Sequence, residues 1–461
     1  MIVWPLGILW VAAVAVTLLD GRRRWVGAVA LAALVAALVA LIWLTSDVLR
    51  TGPVRIIAGN WPVGVGITLR ADALGVLFAV LSLGVLLIAL TYEVLGGVRT
   101  RTFPALVLFL ATGLTGVFLT GDAFNFYVFF EIAMISAYVL TGYGERSRQL
   151  RAAMIFAVVN LLGSVIFLIA VAALYHVTGT LDMSAIASRI RIVEANPAII
   201  TATLLFVAFG VKLGLFPFHF WLPAVYTGTR PAVAAILSGA LANIGAYGLL
   251  RFGADILPRE VALGAPVLLL LGVMSVIYGA LQAVSRHNAD EVLAYSSIGQ
   301  VGYVLIALAI GGPVGYAAVV LYTVINALNK TLLFLAAGLR GWLVGAAFIV
   351  GALSVVGVPP AAGFFGKAAL FRAGMTAEQP GTMVAVVGFV FLGGALSFVY
   401  MFQIYQRRYW APTADSGSPS LLSRRLLVLG VAALIVALGV LPEPLLALSQ
   451  RAADVLPQRL P

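Results

Sequence analysis

The chain is a succession of long apolar runs separated by short polar loops, and that pattern leaves few folds open to it. Of its 461 residues, 62% are hydrophobic and only 10% charged, with a mean hydropathy of +1.10. A water-soluble domain carries about 25% charged residues, so a chain this apolar could not cover its own surface in water. A bilayer supplies the missing solvent, and each crossing takes roughly 20 apolar residues in a helix. Fourteen such runs are legible, at about 2–19, 25–44, 73–92, 103–120, 123–141, 152–174, 198–216, 231–250, 264–284, 292–310, 315–338, 342–358, 382–405 and 425–441. Residues 360–373 form the second half of a broken twelfth span. The fold class is therefore all-α and polytopic, with broken helices, and no soluble domain is expected. The longest polar stretches, 45–72, 176–197 and 406–424, read as loops, the second with room for a short surface helix.

Cations orient the spans. Fifteen of the 25 arginines fall in alternate loops, among them Arg22, Arg23, Arg24, Arg99, Arg101, Arg146, Arg148 and Arg230. By the positive-inside rule those loops face the cytoplasm, which puts both termini outside. The net charge of +11 thus reflects topology rather than nucleic-acid binding. Cysteine is absent, which excludes disulfides, thiolate metal sites and cysteine catalysis. His176, His219 and His287 are too scattered for a metal site. Neither a nucleophile elbow nor a phosphate loop is present, so neither cofactor nor enzyme chemistry is expected of this chain.

Only three of the 28 cationic side chains are lysines, and Lys212, Lys330 and Lys367 all lie inside apolar segments. Arginine stays charged under essentially all conditions, whereas a desolvated lysine can gain and lose a proton near neutral pH. An intramembrane charge costs at least about 2.5 kcal/mol and usually faces a partner or a polar interior. Each lysine also has a bland reading, as a snorkelling or paired residue. Among the acidic residues Glu131 is expected deepest in a span, with Asp72, Glu93 and Asp122 near span ends. His219 follows Pro217, which should break its span and free backbone carbonyls. In Gly357-Val358-Pro359-Pro360 the break instead precedes its lysine. A lysine before one break and after another suggests an inverted-topology repeat, with 103–255 and 260–410 as the two halves, 1–102 as preceding helices and 425–461 as a C-terminal helix and tail. Asn160, Asn243, Tyr295, Ser296, Ser297, Gln300, Tyr322, Thr323, Asn326 and Asn329 could hold water between the lysines. Asn326 and Lys330, four apart, share a helix face.

These motifs, at 120–131, 209–223, 293–303, 326–334 and 357–367, resemble the antiporter-like, proton-translocating subunits of respiratory complex I and of Mrp-type Na+/H+ antiporters. Gly59-Asn60-Trp61-Pro62, Gln300 and the ending Leu441-Pro442-Glu443-Pro444 are similar to the D-type subunit of the Mrp branch. The resemblance implies that Glu131 pairs with Lys212, that Lys330 is the central lysine, and that Lys367 is the terminal group of a hydrated axis. His219, Asn243, Tyr295, Gln300 and Asn326 would relay protons or hold water along it. It further implies partner membrane subunits, and H+ and Na+ as the transported ions, in a bacterial plasma membrane. Asn243 stands where the family usually has a lysine, Ala327 where it has a histidine, and Ala224 where it has an acid. Two alternatives stay open: the same subunit type in a redox-driven complex, and a non-conducting scaffold.

Overall fold

The computed structural model describes residues 1–62, 66–376, 380–410 and 419–457. It is a bundle of helices. Eleven are long and apolar enough to cross a bilayer, and three shorter apolar ones (Val3–Thr17, Phe103–Leu119 and Trp342–Val356) bring the total to fourteen among the described residues. Large apolar side chains such as Leu162, Leu263, Val267 and Phe391 face outward, which is the surface that hydrocarbon would cover.

Side-chain caps start several helices. Asp72 accepts from the Gly75 amide at 2.9 Å, Asp122 from Asn125 at 2.7 Å and Asp182 from Ala185 at 3.0 Å. Each satisfies an amide that a helix start leaves orphaned. All three caps lie at one end of the bundle. A β-hairpin, Val54–Ile57 paired with Thr68–Ala71, lies there too, joined by single bridges between Leu69 and Thr120 and between Asp122 and Asp182. The stretch 45–72 is therefore not a plain loop. Its first residues extend the helix Arg24–Thr51, and the rest is largely the hairpin. In 176–197 the short helix Met183–Arg189 forms. Of the stretch 406–424, residues 411–418 lie outside the described residues.

The opposite end gathers arginine. The Gly21 amide donates to the Arg101 carbonyl, the Arg99 amide to the Tyr143 hydroxyl, and Arg148 to the Thr227 carbonyl. Arg230 lies over the Tyr143 ring and Arg424 over Tyr92. At the hairpin end, Arg55 meets Asp182, and Arg70 and Arg251 meet Asp72 and Asp255, so these three cations are matched by acids.

Two spans are broken, each by the same device. Ala195–Leu213 ends at Gly214 (φ 64°) and resumes through Phe218–Trp221 and Leu222–Gly228. Trp342–Val356 ends at Gly357 (φ 90°) and resumes as Gly363–Met375. Left-handed backbone at these two positions favours glycine, and the prolines that follow cannot continue the helix. The freed groups find partners: the Trp221 indole donates to the Val211 carbonyl at 2.9 Å, and the Gly363 amide to Ser354 Oγ at 3.0 Å. Between the broken spans, Pro231–Ile256 carries π-helical stretches at Leu237–Leu241 and Leu249–Ile256.

Candidate functional site: a buried polar axis

The three lysines are buried, at 7%, 0% and 5% exposure for Lys212, Lys330 and Lys367. None snorkels to either membrane face. Lys212 sits in the last turn before its break. Its amine donates to the Asn160 carbonyl at 2.9 Å and to Ser164 Oγ at 3.3 Å, and it lies 4.4 Å from the Phe130 ring centroid. A cavity of about 10 Å³ adjoins it, lined by Asn160, Trp221, Tyr226 and Ala242 among others. That is room for about one water molecule.

Glu131 is half-buried on Ala123–Thr141. Its charge acts on Lys212, yet no ion pair closes between them within 4 Å, and Glu131 Oε1 is buried without a hydrogen-bond partner. The pairing expected from the sequence is therefore one of proximity, with the Lys212 amine held by Asn160 and Ser164 instead. Nor is Glu131 the most buried acid: Asp72 and Glu93 are more completely enclosed. Those two lie against the cations Arg251 and Arg424 that fold onto them, which their places near span ends did not reveal.

Lys330, two turns before the end of Gly312–Ala337, donates to Ser296 Oγ at 2.9 Å and to the Leu293 carbonyl at 3.3 Å, both on Ala289–Ile310. Ser296 Oγ lies 3.0 Å from the Tyr400 hydroxyl. Gln300 approaches the same hydroxyl through Nε2 at 3.5 Å and accepts from Tyr322 through Oε1. Lys367 lies 5.4 Å from the Tyr303 ring centroid, and its amine has no hydrogen-bond partner among the described residues.

The remaining candidates separate. His219, in the first break, stacks on Phe216 and meets the Tyr278 ring at a tilt, with Nδ1 buried and unpartnered. Asn243 donates to the Gly239 carbonyl at 2.8 Å and to Ser82 Oγ at 3.4 Å. It is Ala242, not Asn243, that lines the Lys212 cavity. Tyr295 packs against Tyr278 and beneath Arg286, apart from the Lys330 contacts. Asn326 and Asn329 each bury an unpartnered Oδ1. Buried polar atoms are nearly always hydrogen-bonded in folded proteins. Glu131, His219, Asn326, Asn329 and Lys367 each bury a polar atom without a protein partner among the described residues.

A second polar cluster had no counterpart among the expected sites. Arg251, counted among the plain cations, is buried inside its span. It holds Asp72 through both carboxylate oxygens at 2.8 and 2.7 Å, Asp255 at 2.9 Å and the Tyr247 hydroxyl at 3.2 Å. Burial pushes the Asp72 carboxyl up, but Arg251 and Arg70 outweigh it and hold it below the usual carboxylate range. Asp122 has no arginine in contact among the described residues, and burial keeps its carboxyl raised. Among the described residues, no group of three metal-ligating side chains occurs.

Residues 120–344 match the family described as NADH:quinone oxidoreductase/Mrp antiporter, TM. Over 92% of its length the chain is 31% identical to the D-type subunit of the Na(+)/H(+) antiporter of Alkalihalophilus pseudofirmus, covering 90% of that protein. It is 32% identical to the N-type subunit of the NADH-quinone oxidoreductase of Desulforudis audaxviator, over 95% of this chain and 94% of that one. In structure it is similar to a chain of the Mrp complex from Dietzia sp. DQ12-45-1b, with a TM-score of 0.89, 26% identity, and coverage of 99% and 96%. Similarity of this extent in both sequence and backbone shows that the chain belongs to the NADH:quinone oxidoreductase/Mrp antiporter family of membrane subunits.

Proposed function

We propose that this chain is the proton-translocating, D-type subunit of a multisubunit Na+/H+ antiporter in a bacterial plasma membrane, working beside other membrane subunits. The observation that carries the reading is the burial of three amines inside the bundle, none of them in an ion pair among the described residues. Arginine in those places would be a fixed charge; lysine without a carboxylate in contact is one that can give up its proton. Protons enter one half, pass between lysines over side chains and water, and leave from the other. The half-buried Glu131 tunes how tightly Lys212 holds its proton as partner subunits shift. The two broken spans, with their lysines on opposite sides of the break, support reading 103–255 and 260–410 as inverted halves.

The decisive experiment is transport by the whole complex in everted vesicles. Lys212→Ala and Glu131→Ala are each expected to reduce Na+-driven proton movement at least tenfold while partner subunits still co-purify. Wild-type transport by Lys212→Ala would make the chain a scaffold. A second reading places the subunit in a redox-driven complex, and the identity to an NADH-quinone oxidoreductase subunit favours it. Iron–sulfur proteins among the co-purifying partners would select that reading, and small membrane subunits alone the first.

A further inference from the structure

The helix Pro380–Arg408 holds no lysine, yet one of its faces lies along the interval between Lys330 and Lys367. Four of its residues line that face: Gly393, Gly394, Ser397 and Tyr400. Tyr400 is buried, and its hydroxyl makes three contacts, with Ser296 Oγ at 3.0 Å, Ser397 Oγ at 2.9 Å and Gln300 Nε2 at 3.5 Å. A phenol has one proton to donate and two lone pairs to fill, so these contacts use its whole capacity.

The hydrogens can be ordered. Ser397 Oγ donates to the Gly393 carbonyl at 2.6 Å, so its oxygen is left to accept from Tyr400. The amide of Gln300 can only donate to Tyr400, because its Oε1 already accepts from Tyr322. Tyr400 therefore receives from Ser296, and Ser296 receives from the Lys330 amine at 2.9 Å. The chain of donors runs one way, from Lys330 through Ser296 and Tyr400 to Ser397.

Past Ser397 the two glycines open the way to Lys367. A Cβ on Gly393 would fall 2.1 Å from the Tyr303 hydroxyl oxygen, and one on Gly394 2.9 Å from the Lys367 amine nitrogen. Both of those atoms are buried without a hydrogen-bond partner. A water at the Lys367 amine would satisfy it and complete the path from Ser397.

We propose that Tyr400 and Ser397 form the proton relay between Lys330 and Lys367, with Gln300 as a positioning residue that holds the Tyr400 hydroxyl in line. The Lys330 ammonium gives its proton to Ser296 oxygen as the Ser296 proton moves to Tyr400. The Tyr400 proton moves to Ser397, whose own proton turns away from the Gly393 carbonyl and passes by water to the neutral Lys367 amine. Lys330 ends neutral and Lys367 charged. Each hydroxyl keeps one proton, and rotation about its C–O bond resets it.

This proposal rests on the lysine axis of the proposed function, so the test separates the two. In everted vesicles holding the full complex, Tyr400→Phe is expected to cut proton transport at least tenfold, with partner subunits retained. Replacement of Tyr400 by 3,5-difluorotyrosine nearly preserves its shape while making the phenol more acidic, and should move the pH profile of transport. An unchanged pH profile with difluorotyrosine, or wild-type transport by Tyr400→Phe, overturns the relay. If Lys212→Ala is inactive in the same vesicles while Tyr400→Phe is fully active, only the relay falls. If Lys212→Ala is itself fully active, both fall.

Discussion

At the scale of single residues, rarity made the lysines legible. Three lysines among 28 cations are conspicuous wherever they fall, and the cost of an intramembrane charge assigns them a polar interior. Tyr400 and Ser397 carry no such mark, because tyrosine and serine are ordinary in membrane helices. What gives them a role is the contact of Tyr400 with Ser296, about a hundred positions away, and such contacts are fixed only by packing. Arg251 was hidden for the opposite reason: one more arginine near a span end looks like any loop cation. Its burial against Asp72 leads to a definite expectation. Removing one partner of a buried ion pair costs about 3–5 kcal/mol, because the other charge is stranded. Asp72→Asn should therefore lower the thermal stability of the purified complex markedly at neutral pH. The Asp72 carboxyl is held below its usual range in the fold, so its contribution is complete above the pKa of an unfolded aspartate. It is lost as pH falls through the lower folded value. The wild-type protein should lose stability over that acid window more steeply than Asp72→Asn does. Equal melting temperatures for the two at pH 7 would show that the cluster adds nothing.

At the scale of elements, apolar runs of span length announced the helices, and glycine with proline announced both breaks. The hairpin was not announced, since four-residue strands beside a span end are too short to show alternation. How closely two helices approach was also beyond a pattern of apolar letters. Ala265–Ser285 and Ala289–Ile310 touch through backbone. A Cβ on Gly279 would lie 2.4 Å from the Gly299 amide nitrogen, and one on Gly302 would lie 2.5 Å from the Gly272 carbonyl oxygen. Small residues at such crossings let membrane helices pack at short range, and this pair carries Ser296, Gln300 and Tyr303. The geometry separates two neighbouring glycines. A Cβ on Gly299 meets its nearest atom at 3.6 Å, an ordinary contact. Gly299→Ala should therefore assemble and transport normally. Gly279→Ala must push backbone apart, at about 1–3 kcal/mol, and should reduce complex yield and transport together. Yields of the two variants from matched membranes measure this, and a normal yield for Gly279→Ala would mean that the crossing is looser than these distances require.

At the scale of the whole molecule, the arrangement of charge predicts an orientation. Loops read as cytoplasmic from arginine count alone come together at one end, where Arg99, Arg101, Arg148, Arg230 and Arg424 contact neighbouring loops and helix ends. At the hairpin end, Arg55, Arg70 and Arg251 are neutralised by Asp72, Asp182 and Asp255. The positive-inside rule acts on cations near span ends, and the loops richest in arginine share one end of the bundle. The C-terminal helix Glu443–Ala453 returns to the hairpin end, where Arg451 donates to the Leu49 carbonyl at 3.4 Å. Because the chain has no cysteine, single substitutions report accessibility without background. Thr102→Cys, exposed at the arginine-rich end, should react with a membrane-impermeant maleimide only in everted vesicles. Ser184→Cys, exposed on the short helix at the hairpin end, should react only in right-side-out vesicles. The reverse labelling would turn the molecule over and overturn the arginine count as a guide to its orientation.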